Sequence, residues 1–264
     1  MEEKEFDLNN KKIFYRMIGN GPAVVLLHGF GEAGWVWNHQ INAIKDFQFI
    51  VPDLPGSGRS EMIDNMSMES LAESIRQLLN HLEIDQCTMI GHSMGGYVTL
   101  AFAEKYPSLL NSYGLFHSTA FADTEEKKAS RKKTIESIQE NGASAFLQNF
   151  IPGLYGNNFK QQQPNAIDNH LTQVANLTKA ALIAYSQSMI ERPDRTNVLK
   201  QNKMPVLFVL GKEDAAIPFQ DTLKLASMPD ISYIHVLEKA GHMGMIEEPE
   251  RGNQILNNFL LKTI

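Results

Sequence analysis

The stretch Ile90-Gly91-His92-Ser93-Met94-Gly95-Gly96 decides how the rest of the chain is interpreted. An apolar run typical of a buried strand, Cys87 to Ile90, precedes it, and a helical pattern from Tyr97 to Tyr106 follows it. Between such a strand and such a helix, G-x-S-x-G predicts a sharp, strained turn that lifts the central serine above the strand end. The first N–H groups of the helix then point at the serine hydroxyl, which is the environment that a nucleophilic serine needs.

The composition limits the classes of protein to which the chain can belong. Its 264 residues are 43% hydrophobic and 20% charged, which is typical of one large globular domain or of a domain with an insertion. The net charge of −6 argues against a nucleic-acid partner, and the basic residues after Glu125-Glu126 are typical of a solvated helix face. Cys87 is the only cysteine, which excludes an internal disulfide and a cysteine metal cluster.

The sequence also lacks the patterns of membrane insertion and secretion. No run approaches the roughly 18 consecutive apolar residues of a membrane span. The polar start, Met1 to Glu5, has no apolar segment of the kind found in secretory signals. We therefore expect a soluble, cytoplasmic protein, a monomer or a homodimer, with no membrane partner.

Strand and helix patterns alternate along most of the chain, which favours a mostly parallel, doubly wound α/β sheet. The alternation stops between residues 119 and 203, where helical segments occur without a buried-strand run. The sequence thus predicts a core domain of residues 1–118 and 204–264, with a helical insertion, 119–203, over one end of the sheet. The predicted helices of the insertion are Glu125–Glu140, Ala143–Phe150, Ile167–Asn176 and Lys179–Glu191.

A serine hydroxyl is a poor nucleophile at neutral pH and needs a histidine base that a carboxylate orients. In open α/β sheets, reactive groups collect in loops at the carboxyl ends of the strands. Asp214 follows the predicted strand Val206–Leu210, and His242 follows the predicted strand Ile231–Leu237. We therefore predict a catalytic triad of Ser93, Asp214 and His242, in the chain order serine, acid, histidine.

Negative charge that develops on an attacked carbonyl oxygen needs fixed hydrogen-bond donors. The N–H of Met94 directly follows the serine, and the N–H of Phe30 lies in the loop after the strand that ends near His28. We expect these two backbone groups to form an oxyanion hole. His28 and His92 are interpreted as structural residues. No pair of histidines has metal-binding H-x-x-x-H spacing, and the chemistry requires neither a metal nor an organic cofactor.

Five motifs together resemble those of the α/β-hydrolase superfamily over essentially the whole chain. They are His28-Gly29-Phe30-Gly31, Asp53-Leu54-Pro55-Gly56-Ser57-Gly58-Arg59-Ser60, Gly91-His92-Ser93-Met94-Gly95-Gly96, Gly211-Lys212-Glu213-Asp214 and Gly241-His242. The resemblance implies that residues 119–203 correspond to the helical cap, or lid, of such enzymes. It also leaves Asp123 as an alternative acid. Some hydrolases place the acid after the strand that follows the nucleophile elbow, which is the turn that carries Ser93 here.

Departures from subfamily patterns narrow the resemblance. Haloalkane dehalogenases and epoxide hydrolases have an aspartate where this chain has Ser93. The H-G-G-P-G loop of proline iminopeptidases and the H-G-G-G loop of many lipases are absent. Capped carboxylesterases, enol-lactone hydrolases, carbon–carbon bond hydrolases and cofactor-free haloperoxidase relatives remain, and the motifs do not separate them.

The predicted substrate pocket lies between the sheet and the cap and is mostly apolar. Its predicted substrate-binding residues are Trp37, Phe121, Phe146, Tyr185, Met189, Ile217 and Met243. Such a lining favours a small or medium-sized, uncharged ester as the small-molecule substrate. We therefore expect a serine hydrolase that acts on esters or similar acyl compounds through an acyl-enzyme.

Two other classes of function stay open at this level. A carbon–carbon bond hydrolase or lyase on the same scaffold needs a basic clamp for a substrate carboxylate, for which Arg192 and Arg59 are candidates. The other hypothesis is a receptor-like protein that binds a ligand and retains residual hydrolase activity.

Overall fold

The structure is a computed structural model that describes residues 1–264 and contains one sheet of eight strands. The strands are β1 Glu2–Asp7, β2 Lys12–Ile18, β3 Ala23–Leu27, β4 Gln48–Pro52, β5 Cys87–His92, β6 Leu110–Phe116, β7 Val206–Gly211 and β8 Ser232–Leu237. Their order across the sheet is β1-β2-β4-β3-β5-β6-β7-β8. The neighbouring pairs from β4 to β8 are parallel. The β1–β2 and β2–β4 pairs are antiparallel. The predicted mostly parallel sheet is confirmed.

Eleven α-helices accompany the sheet. They are α1 Asn38–Ala43, α2 Met68–His81, α3 Met94–Lys105, α4 Glu125–Phe150, α5 Asn157–Gln162, α6 Pro164–Gln173, α7 Lys179–Glu191, α8 Thr196–Gln201, α9 Phe219–Leu225, α10 Gly244–Glu247 and α11 Pro249–Thr263. None of these helices has the length and apolar character that crossing a bilayer requires.

The central strands are buried because helices pack on the sheet. Every residue of β3 and β7 is buried, as their continuous apolar sequences require. Ser67 begins α2 by accepting a hydrogen bond from the Ser70 N–H, and the buried side of that helix carries leucines and isoleucines at helical spacing. The core of the sheet therefore holds the loops at its strand ends in fixed positions.

Residues 119–203 contain α4 to α8 and no strand. α4 spans two of the predicted helices, and the chain leaves the helical conformation between them at Gly142, where φ is 83° and ψ is 170°. Glycine adopts this conformation without the steric cost that other residues meet. The short helices α5 and α8 were not predicted, because six residues are too few to show a helical period. The division into a core domain and a cap stays a prediction.

Side chains from this helical segment lie directly over the strand ends. The ring of Phe30, in the loop after β3, meets Phe146, Phe150 and Tyr185 edge to face, with centroids 6.1, 5.4 and 6.5 Å away. The N–H of His242, in the loop after β8, donates to the Leu154 carbonyl at 2.7 Å. The helical segment is thus attached to the loops that carry the candidate site.

Candidate active site

Four polar side chains follow four neighbouring parallel strands of the sheet. Ser93 directly follows β5 and His117 directly follows β6. Asp214 and His242 lie in the loops that follow β7 and β8. Because parallel strands end at the same edge of a sheet, the topology brings these four loops together.

Ser93 lies on a strained turn between β5 and α3. Its φ of 50° and ψ of −116° are uncommon for a residue with a side chain. A Cβ at Gly91 would lie 2.2 Å from the Gly95 carbonyl oxygen, and a Cβ at Gly95 would lie 2.6 Å from the His28 carbonyl oxygen. The close approach of the backbone therefore requires both glycines, as the sequence motif indicated. α3 begins at Met94, three residues before the predicted start at Tyr97, because the turn leads directly into the helix.

Asp214 and His242 form a buried hydrogen-bonded pair. His242 Nδ1 donates to Asp214 Oδ2 at 2.9 Å, and the side chains are 4% and 1% exposed. The other carboxylate oxygen, Oδ1, accepts the N–H groups of Ala216 and Ile217 at 2.8 and 2.9 Å. Burial alone would raise the pKa of Asp214, but His242 and His117 hold it below its ordinary value. Burial lowers and Asp214 raises the pKa of His242, and the net result is a raised value.

His117 supplies a second hydrogen bond to the same carboxylate oxygen. Its Nδ1 lies 3.0 Å from Asp214 Oδ2, and its side chain has no exposed surface. Its other ring nitrogen, Nε2, is buried without a hydrogen-bond partner. Burial lowers the pKa of His117 to about 4, although the bond to Asp214 opposes this. At neutral pH, His117 is therefore a neutral ring that donates to Asp214.

His92, next to the serine, belongs to another buried network. Its Nδ1 lies 2.9 Å from Glu32 Oε2, and its Nε2 lies 2.9 Å from the carbonyl oxygen of His242. Glu32 Oε2 also accepts the Gly29 N–H at 2.7 Å. Burial would raise the pKa of Glu32, but His92 lowers it to about 2. The predicted structural role of His92 is confirmed by these contacts, which fix the backbone on both sides of the elbow.

A second glutamate holds the loop of His242. Glu247 accepts hydrogen bonds from the N–H groups of Gly241 and Met243 at 3.1 and 2.9 Å, and from that of Gly156 at 2.7 Å. Burial raises the pKa of Glu247, although these three N–H groups oppose the shift. Glu247 therefore joins the His242 loop to Gly156, in the short segment before α5.

The two predicted oxyanion donors are backbone N–H groups at this edge. Met94 is the first residue of α3, so its N–H has no acceptor within the helix. The Phe30 N–H lies in the loop after β3 and makes no backbone hydrogen bond. This loop approaches the elbow closely, since a Cβ at Gly29 would lie 3.1 Å from the Ser93 Cβ. Both groups are therefore free to donate to a ligand atom.

The predicted substrate-binding residues occupy different depths. Trp37 is fully buried with its ring edge-to-face on Phe116, so it packs in the core. Phe121 and Ile217 line a cavity of about 490 Å³. The remaining four residues are almost wholly buried or lie against the Phe30 ring: Phe146, Tyr185, Met189 and Met243. Contact of these residues with a substrate stays a prediction.

The alternative residues that the sequence offered are engaged elsewhere. Asp123 binds Arg192 at 2.8 Å and Arg131 at 2.5 Å, in a buried cluster away from His242. Arg59 binds Glu3 at 2.8 Å on the surface, and its backbone N–H donates to Asp53. Asp214, and not Asp123, is therefore the carboxylate that is hydrogen-bonded to His242.

His28 has the structural role that the sequence indicated. Its Nε2 accepts the Leu54 N–H at 2.9 Å, and its Nδ1 donates to the Gly29 carbonyl oxygen at 2.9 Å. Burial lowers the pKa of His28, which favours the neutral ring that this pattern requires.

One group of side chains has the residue types and spacing of a metal site. It consists of His117, Asp214 and His242, whose ligand atoms lie within 4.8 Å of one another. Both ring nitrogens that face Asp214 already donate their protons to its Oδ2. A metal ion bound through those two Nδ1 atoms would need their lone pairs, so that metal binding there would replace the hydrogen bonds. Hydrogen bonding alone accounts for the arrangement.

Sequence reasoning missed Glu32, which binds His92, and Glu247, which holds the loop of His242. Glu32 is three residues beyond Gly29, and Glu247 is five residues beyond His242, without a motif to mark either. His117 had one available signal, its position directly after β6 in the row of strand ends. Its contact with Asp214 depends on the register between β6 and β7, which the sequence does not display.

Comparisons with known proteins agree with this fold. The family model described as alpha/beta hydrolase fold matches residues 22–115. A thermophilic esterase from Thermogutta terrifontis is 30% identical, with a TM-score of 0.93 over 100% of this chain and 99% of that chain. A Serratia proteamaculans protein assigned by name to the carbamate hydrolases, as RutD, is 25% identical over 95% of this chain and 97% of its own length. The 3-oxoadipate enol-lactonase 1 of Acinetobacter baylyi is 24% identical over 91% of this chain and 89% of its own.

The fold, the strained serine turn and the full-length similarity to an esterase lead to the same assignment. The chain belongs to the α/β-hydrolase superfamily and is a hydrolase.

Proposed function

We propose that the protein hydrolyses small carboxylic esters through a triad of Ser93, His242 and Asp214. The observation that carries this proposal is the strained Ser93 turn at the same sheet edge as a histidine whose Nδ1 is bound to a buried carboxylate. His242 Nε2 makes no hydrogen bond within the protein and is available to take a proton. The relatives support the reaction type, since the names esterase, carbamate hydrolase and enol-lactonase share an acyl carbonyl bound to a heteroatom.

In the first half of the reaction, Ser93 Oγ attacks the ester carbonyl and its proton passes to His242 Nε2. No hydrogen bond joins these two atoms in the present conformation, so that they must approach each other when a substrate binds, as is common for catalytic pairs. Asp214 keeps the Nδ1–H tautomer in place and stabilises the imidazolium that forms. His242 then protonates the leaving alcohol.

The carbonyl oxygen gains negative charge in each tetrahedral state. In this proposal the N–H groups of Phe30 and Met94 bind it, and each such donor typically contributes about 3 kcal/mol to transition-state stabilisation. In the second half of the reaction, water attacks the acyl-enzyme while His242 takes its proton, and Ser93 is regenerated.

Aromatic rings over the site favour an apolar acyl group. Phe146, Phe150 and Tyr185 meet the Phe30 ring edge to face, and the four rings form one cluster between the loop after β3 and the helical segment. As part of the same proposal, residues 119–203 act as the cap over the site, and 1–118 with 204–264 act as the core domain. Substrate selection then depends on α4 and α7, which carry three of these four rings.

The carbon–carbon bond hydrolase reading is less well supported. It needs a free cation for a substrate carboxylate, but Arg192 is paired with Asp123 and Arg59 with Glu3. Turnover of p-nitrophenyl esters without cleavage of vinylogous diketo acids is expected for the esterase, and the reverse pattern would support the alternative.

The direct test is covalent labelling with a fluorophosphonate, followed by mass spectrometry of the peptide that carries the adduct. We expect one adduct, on Ser93, and none in Ser93→Ala. Ser227→Ala, at an exposed serine in the loop after α9, is the matched control and should label like the parent protein. An adduct on another serine, or no adduct at all, would contradict the proposal.

An ester panel of increasing acyl length then defines the pocket. We expect turnover of short and medium chains, abolished in Ser93→Ala. Saturable binding of ligands without turnover of any ester would instead favour the receptor-like reading.

A further inference from the structure

His117 lies at the end of β6, between Ser93 and Asp214 in the series of polar residues at the strand ends. It follows β6, whose neighbours are β5, which carries Ser93, and β7, which carries Asp214. The backbone N–H of His117 donates to the Val209 carbonyl of β7 at 2.9 Å, and its Nδ1 donates to Asp214 Oδ2 at 3.0 Å. His117 is therefore bonded to β7 through its main chain and to the loop after β7 through its side chain.

The site of His117 is unfavourable in three respects for a residue with only a packing role. Its φ of 50° is in the left-handed region, where side chains are disfavoured. Its Nε2 is buried without a partner. The ring also requires glycine on two sides, since a Cβ at Gly244 would lie 2.3 Å from Nε2 and a Cβ at Gly211 would lie 2.5 Å from Cε1. An apolar residue would avoid the unpaired nitrogen, so the compensating benefit has to come through the Asp214 bond.

That bond has a specific consequence for the triad. Asp214 Oδ2 accepts from two Nδ1–H groups, and these belong to the rings of His117 and His242. A carboxylate oxygen that already accepts one N–H attracts a second proton donor less strongly. His117 thus restrains how tightly Asp214 holds the proton on His242 and also fixes the plane of the carboxylate.

We propose that His117 is a positioning residue, which orients Asp214 and moderates its effect on His242 so that His242 can both take and release a proton. The proposal rests on the catalytic roles of Asp214 and His242 in the proposed function. Other titratable or charged groups face the two rings from neighbouring elements, and they must stay unchanged in the test: His92 at the end of β5, Glu32 after β3, Lys127 in α4 and Glu247 in α10.

The first test uses the intact protein and does not depend on esterase activity. Nitrogen-15 NMR of histidine-labelled protein distinguishes the two neutral tautomers and the charged ring. We expect His117 to remain neutral with its proton on Nδ1 between about pH 5.5 and 8. A ring protonated on Nε2, or one that becomes charged in this range, would overturn the inference.

The second test compares two variants of almost the same shape. His117→Asn retains an N–H donor and tolerates a positive φ, whereas His117→Leu has no donor. For His117→Leu we expect kcat to fall about tenfold or more with KM changed by less than about threefold, and the acid limb of the kcat/KM profile to move up by about half a pH unit. His117→Asn should return that limb to within about 0.2 pH unit of the parent.

A purely structural role for His117 predicts another pattern. Both variants would then lose thermal stability, and the acid limb of neither would move, which would overturn the inference. If His117→Leu does not fold, His117→Gly takes its place, since it accepts the positive φ and has no donor, and the same upward shift of the acid limb is expected of it. Failure of the proposed function is seen separately, because the parent protein would then hydrolyse no ester, or Ser93→Ala would hydrolyse esters as fast as the parent.

Discussion

Two buried carboxylate–histidine pairs lie side by side at the sheet edge. In both, histidine Nδ1 faces the carboxylate, and the pairs differ in the partner of the outer nitrogen, Nε2. His92 is 2.9 Å from Glu32, and His242 is 2.9 Å from Asp214. The two rings have centroids 4.8 Å apart, and both carboxylates are 1% exposed. Burial opposes ionisation of each carboxylate, yet the neighbouring histidines leave the pKa of both below the ordinary value.

The outer nitrogen separates the two pairs. His92 Nε2 faces the carbonyl oxygen of His242 while Nδ1 faces the Glu32 carboxylate, so both bonds form only when the ring carries both protons. His242 has a carboxylate at Nδ1 and no protein partner at Nε2. The same pair of residue types is therefore a structural tie in one place and a candidate acid–base pair in the other.

The largest expected effect is on activity, and it distinguishes the pairs directly. Asp214→Asn should lower kcat on a p-nitrophenyl ester about ten-thousand-fold, because an amide no longer fixes the tautomer or stabilises the imidazolium. Glu32→Gln should lower kcat by about tenfold at most, through small displacement of the elbow. Steady-state kinetics of samples matched for folded protein provide the measurement. Equal losses in the two variants would remove the distinction drawn between the pairs.

The next effect is on stability, and here the Glu32 pair should be the more sensitive. Glu32→Gln should lower the free energy of unfolding by about 3 kcal/mol, because it leaves His92 without its charged partner in a buried site. Glu247→Gln should cost about 2 kcal/mol, because the amide oxygen still accepts some of the three N–H groups while the amide NH2 leaves at least one of them without an acceptor. Urea unfolding of both variants measures the difference.

Two further observations would check this interpretation of stability. Glu3→Gln removes an exposed ion pair with Arg59 and should change stability by less than about 1 kcal/mol. The pKa of Glu32 is lowered from 4.5 to about 2, so its contribution is complete above pH 4.5 and is lost as the pH falls towards 2. Glu32→Gln should therefore flatten acid unfolding in that window. An unchanged acid transition would show that Glu32 does not supply this stability.

Much of the fold was predictable from the sequence, because the deciding patterns were local. β3 matches the apolar run Ala23–Leu27 at both ends, and the hairpin turn at Asn9-Asn10 has the positive φ values that asparagine tolerates. The elbow was predictable for the same reason, since its glycines adjoin the serine in sequence. The short helices α5 and α8 were not, because tertiary contacts and not periodicity determine them.

The candidate site was only partly predictable from the sequence. Residues that follow from strand order were found, and residues whose contacts depend on loop geometry were not. Asp214 and His242 follow from strand order, and the structure places them in contact as expected. The bonds that Glu32 and His117 make to other elements depend on loop geometry, which a single sequence does not specify. The substrate contacts were the least predictable part of the site. α4 and α7 carry apolar residues on several sides, and packing and ligand contact use the same residue types.

The smallest expected effect is a shift in the pH dependence of the rate. His242 must be neutral to accept the serine proton, so the rate should fall as the pH drops through its pKa. Burial lowers the pKa of His242, but Asp214 raises it and the net shift is upward. The half-maximal kcat/KM should therefore lie above pH 6.5. A rate that does not change between about pH 5 and 8 would contradict a histidine base.

Two variants should move this midpoint in opposite directions, and the sign follows from charge. Glu32 raises the pKa of His242, so Glu32→Gln should move the midpoint down; Lys127 lowers it, so Lys127→Met should move the midpoint up. Each shift should be about 0.3 pH unit, since solvent and the protein screen charges that are not in contact. Lys224→Met, which removes an exposed lysine paired with Asp221, is the control and should leave the midpoint in place. Opposite shifts would establish that Glu32, although a structural tie through His92, still acts on the proton of His242 through its charge. Shifts of the same sign would mean that both substitutions act by moving the loops, and the electrostatic link between the two pairs would have to be abandoned.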